Sequence, residues 1–200
     1  MPRSRKMIYV IVTIALIPLL FFTWRLTAGD KYESAEYSVV TSDGKFEVRE
    51  YPELAIASTS MKSYGDGRDG SFMRLFRYIS GDNEAKQKIS MTTPVFMEAQ
   101  TESDAGQMAF VLPKDVAEKS APNPVSESVE VGKRPAGKYA VIRFNGYMNQ
   151  ESISKAEQKL RGWMEDNKVR ASDELEFAGY DPPWTPGLLR RNEVLIRVGE

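Results

Sequence analysis

The chain has 200 residues, 42% of them hydrophobic, and it contains neither cysteine nor histidine. This length is enough for one domain with a core, and the two absences exclude disulfides, thiolate nucleophiles, Ser-His-Asp triads and metal sites built from Cys or His. The net charge is −1, but the basic residues Arg3, Arg5, Lys6 and Arg25 lie in a first segment that has no acid. The remainder is therefore acidic, and we expect no nucleic-acid partner.

The first predicted element is a membrane-spanning helix over residues 7–24, which carry no charge. Eighteen helical residues span roughly 27 Å, close to the bilayer core of about 30 Å. The preceding basic residues predict an amino terminus inside and a globular domain exported to the periplasmic or extracellular side. A cleaved signal peptide is the alternative, but the apolar run is long for one and Leu26-Thr27-Ala28 is a poor cleavage site. We therefore predict that residues 1–28 are a basic segment and membrane anchor.

A first unit of strands and one helix follows. Residues 46–51 alternate apolar and polar side chains, which predicts a half-buried strand, and residues 54–61 are predicted to form a second strand. The helix is predicted over residues 72–79, with its buried stripe formed by Phe72, Leu75, Phe76 and Ile79 and with Gly81 at its end. Two further strands are predicted over residues 95–99 and 108–112.

The Gly-rich segment 65–70 before this helix reads Gly-Asp-Gly-Arg-Asp-Gly, which formally matches a dinucleotide-binding loop. Asp66 and Asp69 would repel the pyrophosphate that such a loop holds at a helix N-terminus. The preceding strand also alternates, unlike the strand of a doubly wound fold, which is buried on both faces. We interpret the segment as a flexible loop.

The order of elements then repeats after a proline-rich linker at residues 120–124. A shift of 83 residues superimposes Phe46, Val48 and Pro52 on Val129, Val131 and Pro135, which indicates an internal repeat with halves of about 36–118 and 125–200. Each half alone would leave a sheet face bare, so two halves packed together predict an α+β domain with an antiparallel sheet or barrel and both helices outside. The second half is predicted to contain strands 129–131, 139–144, 175–180 and 194–198 and a helix from about 152 to 167.

Three side chains of the first helix, Met73, Arg74 and Arg77, lie off its apolar stripe. They are either a solvated helix face or a site for a flat apolar ligand, with Met73 as an adaptable contact and the arginines pairing with carboxylates. The acidic residues are scattered singly over strands and helix surfaces. We therefore predict no catalytic residue and no metal ligand.

Three segments together resemble the SOUL haem-binding protein family. They are Phe72 to Asn83 running into Ile89-Ser-Met-Thr-Thr-Pro-Val95, then Met108 to Pro113 with Pro122-Asn-Pro124, and finally Ala178 to Val194 with its Arg-Arg-Asn-Glu-Val ending. The resemblance covers residues 36–200. It implies a distorted antiparallel β-barrel of two similar halves with two flanking helices, and a haem or other porphyrin held non-covalently in an apolar cleft beside the first helix. The family's contact positions match Met73 and Arg74, and we add Arg77 because it shares their helix surface.

The resemblance implies a binding protein rather than an enzyme, and we expect carriage or buffering without turnover. Some members of the family use a histidine on the iron, so an axial ligand here would have to be Met, Tyr or Lys, or none. The alternatives are a small-molecule sensor or partner-binding barrel without a haem role, and a hydrolase that uses carboxylates in the cleft. The family motifs also allow a structural reading, in which residues 91–95 start a strand, residues 181–187 form a rigid connector, and Arg190, Arg191 and Glu193 form an ion-pair set.

Overall fold

The structure, a computed structural model, describes residues 32–61, 70–98, 106–182 and 184–199. In these residues no helix is long and apolar enough to cross a membrane. The predicted anchor at residues 7–24 and most of the Gly-rich loop lie outside the described part of the chain. The compact unit spans Ser34–Glu200. Both hydrophobic clusters and the nine-stranded sheet lie within it, so it carries the contacts that a domain needs to fold alone.

Eleven strands and three α-helices form the described part of the chain. In chain order they are β1 (Glu33–Ser34), β2 (Ser38–Asp43), β3 (Phe46–Tyr51), β4 (Leu54–Ser60), α1 (Ser71–Ile79), β5 (Thr92–Thr93), β6 (Val95–Glu98), β7 (Gln107–Val111), α2 (Lys114–Glu118), β8 (Glu130–Arg134), β9 (Gly137–Phe144), α3 (Gln150–Asp166), β10 (Ala171–Gly179) and β11 (Asn192–Val198). A single 3-10 turn, Gly187–Leu189, lies between β10 and β11.

Nine strands form one sheet in the order β2-β3-β9-β11-β10-β6-β7-β4-β8, with antiparallel neighbours. Apart from β2, this order is symmetric about its middle. Each strand of the first half lies as far from one end as its counterpart in the second half lies from the other, and the counterparts are β3 and β8, β4 and β9, β6 and β10, and β7 and β11. The first strand of each half pairs with the second strand of the other half, as β3 does with β9 and β8 with β4. The two halves therefore exchange strands across the sheet, which ties them into one domain.

The two faces of the sheet have different chemistry. Helices α1 and α3 contribute to the larger apolar cluster, in which Leu75, Leu160 and Ile196 are fully or almost fully buried. A smaller cluster includes Tyr51, Phe96 and Tyr139, and buried charged side chains lie among its aromatic rings. The first cluster supplies hydrophobic stabilisation, whereas the second surrounds ions.

The α+β class and the antiparallel sheet are confirmed, but the distorted barrel that the resemblance implies is not closed in the described residues. Closure would require β2 to pair with β8, and these strands are instead the two edges of an open sheet. All six residues of β2 are exposed, and four of the five in β8 are exposed. Both edge strands therefore face solvent along most of their length.

The predicted strands and both long helices are present, most of them with shifted ends, while β1, β2, β5 and the five-residue helix α2 were not predicted. The buried stripe of α1 also differs from the prediction. Phe76 is 43% exposed, and Tyr78 is buried in its place with its hydroxyl donating to the Pro122 carbonyl oxygen at 2.9 Å. An aromatic ring with a polar end can lie in the core when that end finds an acceptor.

Candidate functional site

Helix α1 presents a half-exposed apolar surface, which we call the α1 face and define as Phe72, Met73 and Phe76. Met73 is 50% exposed and Phe76 is 43% exposed. The Phe72 ring stacks on Phe76, with centroids 6.1 Å apart and planes 13° apart, and meets Phe110 edge-on at 5.3 Å. Because Phe110 is buried in the core, the α1 face is an outward extension of that core, able to cover one side of a flat apolar ligand.

The two arginines of the predicted site have different roles. Arg74 donates from Nε to Thr59 Oγ1 at 3.0 Å and from Nη2 to the Ser60 carbonyl oxygen at 2.6 Å. These bonds tie α1 to the end of β4. Arg77 is exposed on the last turn of the helix, and its Nε donates to the Met73 carbonyl oxygen at 3.3 Å. The structure therefore brings Met73 and Arg77 together and turns Arg74 toward the sheet.

A buried ionic cluster, centred on Glu193 of β11, occupies the other face. The Glu193 carboxylate is fully buried and accepts two hydrogen bonds from Arg49, at 2.7 and 3.1 Å. It also accepts from Arg191 at 2.8 and 3.1 Å and from the Tyr180 hydroxyl at 2.9 Å. Such a bidentate geometry with additional donors is what allows a carboxylate to stay charged without water.

The cluster shifts the proton affinities of its members in opposite directions. Burial alone would raise the pKa of Glu193, but the hydrogen bonds and charges of Arg49 and Arg191 outweigh it and hold that pKa below its ordinary value. Burial raises the pKa of Tyr180, and the adjacent Glu193 charge raises it further. Burial likewise raises the pKa of Tyr51 to about 12. The carboxylate is therefore held charged and the phenols neutral.

A second buried pair, Arg134 and Glu176, lies among aromatic rings. Arg134 donates from Nε and Nη2 to Glu176 Oε2 at 3.0 and 2.9 Å. Its guanidinium carbon lies 4.3 to 5.0 Å from the ring centroids of Tyr139, Phe96 and Tyr51. Nη1 is buried and has no hydrogen-bond partner. The aromatic faces supply the compensating attraction for this cation.

A surface depression of about 700 Å³ lies beside the ionic cluster, on the sheet side that carries Tyr51 rather than on α1. Its lining includes Glu36, Tyr37, Glu50, Tyr51 and Ala136. The cleft that the sequence predicts beside α1 is a different place, and it stays a prediction. Segments 62–69 and 99–105, which adjoin α1, β6 and β7 in sequence, lie outside the described residues.

Sequence reasoning found one part of the ionic cluster and missed the other. Residues Arg191 and Glu193 are paired as expected, but Arg190 donates instead to the Thr185 carbonyl oxygen at 2.8 Å. Arg49 is the principal partner of Glu193 and is 144 positions away in the chain. In the sequence, this pairing is indicated only by the presence of Arg49 on strand β3, whose other residues alternate between apolar and polar.

The described ranges contain no group of three or more His, Cys, Asp or Glu side chains able to hold a metal ion. Apart from its iron, a haem presents a flat apolar ring and charged propionates, which require apolar contact area and a cationic partner. The α1 face with Arg77 beside it fits those two requirements, because it combines flat apolar contact area with an exposed guanidinium.

Two repeated strand-helix-strand-strand units in one antiparallel sheet, with both helices on one face, define the class of fold. The family model described as SOUL heme-binding protein matches residues 32–197. The chain therefore belongs to the SOUL heme-binding protein family, and the resemblance seen in the sequence is confirmed.

Curated relatives agree with this assignment. Human heme-binding protein 2 is 30% identical over 169 residues, covering 78% of this chain and 80% of the relative. Heme-binding protein 1 of Xenopus tropicalis is 26% identical over 156 residues, covering 74% of this chain and 81% of the relative.

Solved structures share the fold at much lower identity. A structure described as a hydrolase from Listeria innocua has a TM-score of 0.58 at 13% identity, covering 80% of this chain and 94% of that one. The C-terminal domain of EcmrR has a TM-score of 0.52 at 15% identity, covering 82% and 98%. At these identities the similarity establishes the fold alone.

Proposed function

We propose that this protein is a membrane-anchored haem- or porphyrin-binding protein that carries or buffers its ligand without turnover. The observation that carries the proposal is the α1 face, an exposed outgrowth of the core in a chain of the SOUL family. Two relatives are named heme-binding proteins. The family suggests that the ligand is a haem or porphyrin, and the exposed apolar residues of α1 suggest where on the molecule it binds.

The α1 face fits a flat ring that has apolar faces and a charged edge. Phe72, Met73 and Phe76 would cover one side of the macrocycle, and Arg77 would pair with a propionate. Arg74 acts as a positioning residue, because its hydrogen bonds to Thr59 and Ser60 fix α1 on β4. Apolar contact contributes about 25 cal/mol per Å² before the costs of association. This arrangement needs no iron ligand from the protein.

The proposal excludes a hydrolase that uses the buried acids. Both buried acids named above, Glu176 and Glu193, are hydrogen-bonded to arginine. A general acid needs a raised pKa, whereas the pKa of Glu193 is lowered. This cluster is suited to holding the sheet together and not to proton transfer.

Titration of residues 29–200 with haemin and with metal-free protoporphyrin, followed by absorbance, tests the proposed ligand. We expect saturable one-to-one binding of both with similar affinity, because the contacts are with the ring and not with the iron. Binding of haemin alone would contradict iron-independent binding and would point to a Met, Tyr or Lys ligand. Equal binding of unrelated apolar compounds would favour the small-molecule sensor, and no saturable binding would refute the haem proposal.

The anchor is proposed from the sequence of residues 7–24 and is tested with the full chain. We expect the protein to stay with membranes during alkaline carbonate extraction and to keep its full mass of 22.6 kDa. The variant Ile14→Arg with Leu16→Arg should be released, since each central arginine costs about 2.5–3.5 kcal/mol of insertion free energy. Release of the parent chain, or loss of its first residues, would refute a retained anchor.

A further inference from the structure

The connector between β10 and β11 exposes large apolar side chains at one place. Trp184 is 81% exposed, Leu188 89% and Leu189 58%, and Tyr147, which contacts this connector, is 61% exposed. We call these four side chains the apolar tip. An exposed apolar cluster on an otherwise polar surface marks an interaction site, and the α1 face does not include any of these residues.

The backbone beneath the apolar tip is held in place by hydrogen bonds. The Gly146 amide donates to the Gly187 carbonyl oxygen at 3.0 Å, and Asn145 Nδ2 donates to the Arg190 carbonyl oxygen at 3.0 Å. The Arg191 amide donates to Asp181 Oδ2 at 2.6 Å. The exposure of the leucines is therefore built into a fixed turn.

Gly187 brings the two parts of the apolar tip into contact. A Cβ atom at this position would lie 2.7 Å from Tyr147 Cε2, so a larger residue would push that ring away from the turn. The Arg190 guanidinium carbon lies 4.7 Å from the centroid of the same ring. Tyr and Trp beside leucines, with arginine behind them, are the residue types that suit the boundary between headgroups and acyl chains.

We propose that the apolar tip inserts into the surface of the lipid bilayer in which the chain is anchored. This inference rests on the anchor in the proposed function. Nine residues, 25–33, separate Trp24 from Ser34, and a chain of that length reaches at most about 30 Å. The Tyr37 ring, near the start of the compact unit, lies 4.3 Å from the guanidinium carbon of Arg49. Arg49 and Arg191 both donate to Glu193 at the base of the connector. The tethered end of the domain is thus next to the turn that carries the apolar tip.

The size of the apolar tip favours a bilayer over a protein partner. Four side chains with these exposures present an area on the order of 500 Å², below the roughly 800 Å² per partner of a stable protein interface. The same area is sufficient as a second membrane contact, because the anchor already supplies the first. The expected consequence is one fixed orientation of the domain on the membrane.

The cysteine-free chain allows a direct test with single labels. Leu188→Cys and, as the matched control, Val125→Cys are each labelled with an environment-sensitive NBD dye in the full chain. Both positions are exposed apolar residues on loops, so labelling leaves the core intact. The proteins are reconstituted into vesicles of phosphatidylcholine and phosphatidylglycerol, with or without doxyl-labelled lipid.

We expect the dye at position 188 to shift to shorter wavelength, brighten several-fold and be quenched by shallow doxyl groups, while the dye at position 125 stays in water. A water-like dye at position 188 in chains that float with the vesicles would overturn the inference and leave the anchor standing. Failure of the chains to float would overturn both. Dye burial that rises with protein concentration in detergent without vesicles would assign the apolar tip to a second copy instead.

Discussion

Replacing Glu193 with glutamine is expected to lower the free energy of unfolding by about 3–5 kcal/mol, the usual cost of removing one partner from a buried ion pair. Glutamine keeps the shape of the side chain but removes the charge that balances Arg49, which is 1% exposed. Urea denaturation of residues 29–200 at pH 7 measures the change.

Two further variants identify the cause of that loss. Glu174→Gln is the matched control, because Glu174 is exposed and its ion pair with Arg197 is long, at 3.5 Å; its unfolding should be unchanged. The double variant Glu193→Leu with Arg49→Met should lose less stability than Glu193→Gln, since it removes both of the almost fully buried charges. The charges that lose a partner, Arg191 and Glu47, are partly exposed. Equal losses in both would mean that shape, and not charge, is what Glu193 supplies.

The same carboxylate predicts how stability depends on pH. The pKa of Glu193 is lowered in the folded state, so its contribution is complete above the ordinary glutamate pKa of about 4.3 and is lost as pH falls through the lower folded value. The Glu193→Gln variant should therefore lose less stability than the parent between pH 5 and acidic pH, in the same urea experiment, which gives a second signature of the charge.

The elements that carry periodicity were predictable from sequence, and the contacts between distant strands were not. Strand β3 and helix α3 show clear alternation and a clear apolar stripe, and the structure places both within two residues of the prediction. Strand β2 shows no stripe because all its residues are exposed. Its place in the sheet follows from its pairing with β3 and not from its own side chains.

The candidate site likewise contains residues that the sequence predicted and contacts that it could not predict. Periodicity identified α1 and placed Met73 and Arg77 off its buried stripe, as the structure has them. It assigned Phe76 to the core, because a phenylalanine at the right spacing is normally buried. The Phe76 ring instead points outward, because Tyr78 takes the buried position and donates a hydrogen bond to the Pro122 carbonyl oxygen. The two residues are 44 positions apart, so no local sequence pattern predicts this bond. The same holds for Arg49 and Glu193, which only the folded sheet brings together.

The variant Met73→Asp with Phe76→Asp is expected to weaken haemin binding by about 2–4 kcal/mol, or roughly 30- to 1000-fold, as measured by absorbance titration of residues 29–200. Both side chains are about half exposed, so the folded protein tolerates carboxylates there, while the ligand loses apolar contact and meets negative charge near its propionates. Val40→Asp is the matched control, an equally exposed apolar residue on the edge strand β2, at the far side of the sheet from α1, and should bind haemin as the parent does. Unchanged affinity in the double variant would place the ligand elsewhere, with the depression beside Tyr51 next to be tested.

The two arginines of α1 separate ligand contact from helix positioning. Arg77→Ala should weaken haemin binding by less than about 1 kcal/mol, the usual value of an exposed ion pair, and leave unfolding unchanged. Arg74→Ala should lower the stability of the protein as well as its affinity, because it releases Thr59 Oγ1 and the Ser60 carbonyl oxygen from α1. If Arg74→Ala changed affinity alone, Arg74 would be a ligand contact after all, and the guanidinium that the fold turns toward β4 would have to turn back when haem binds.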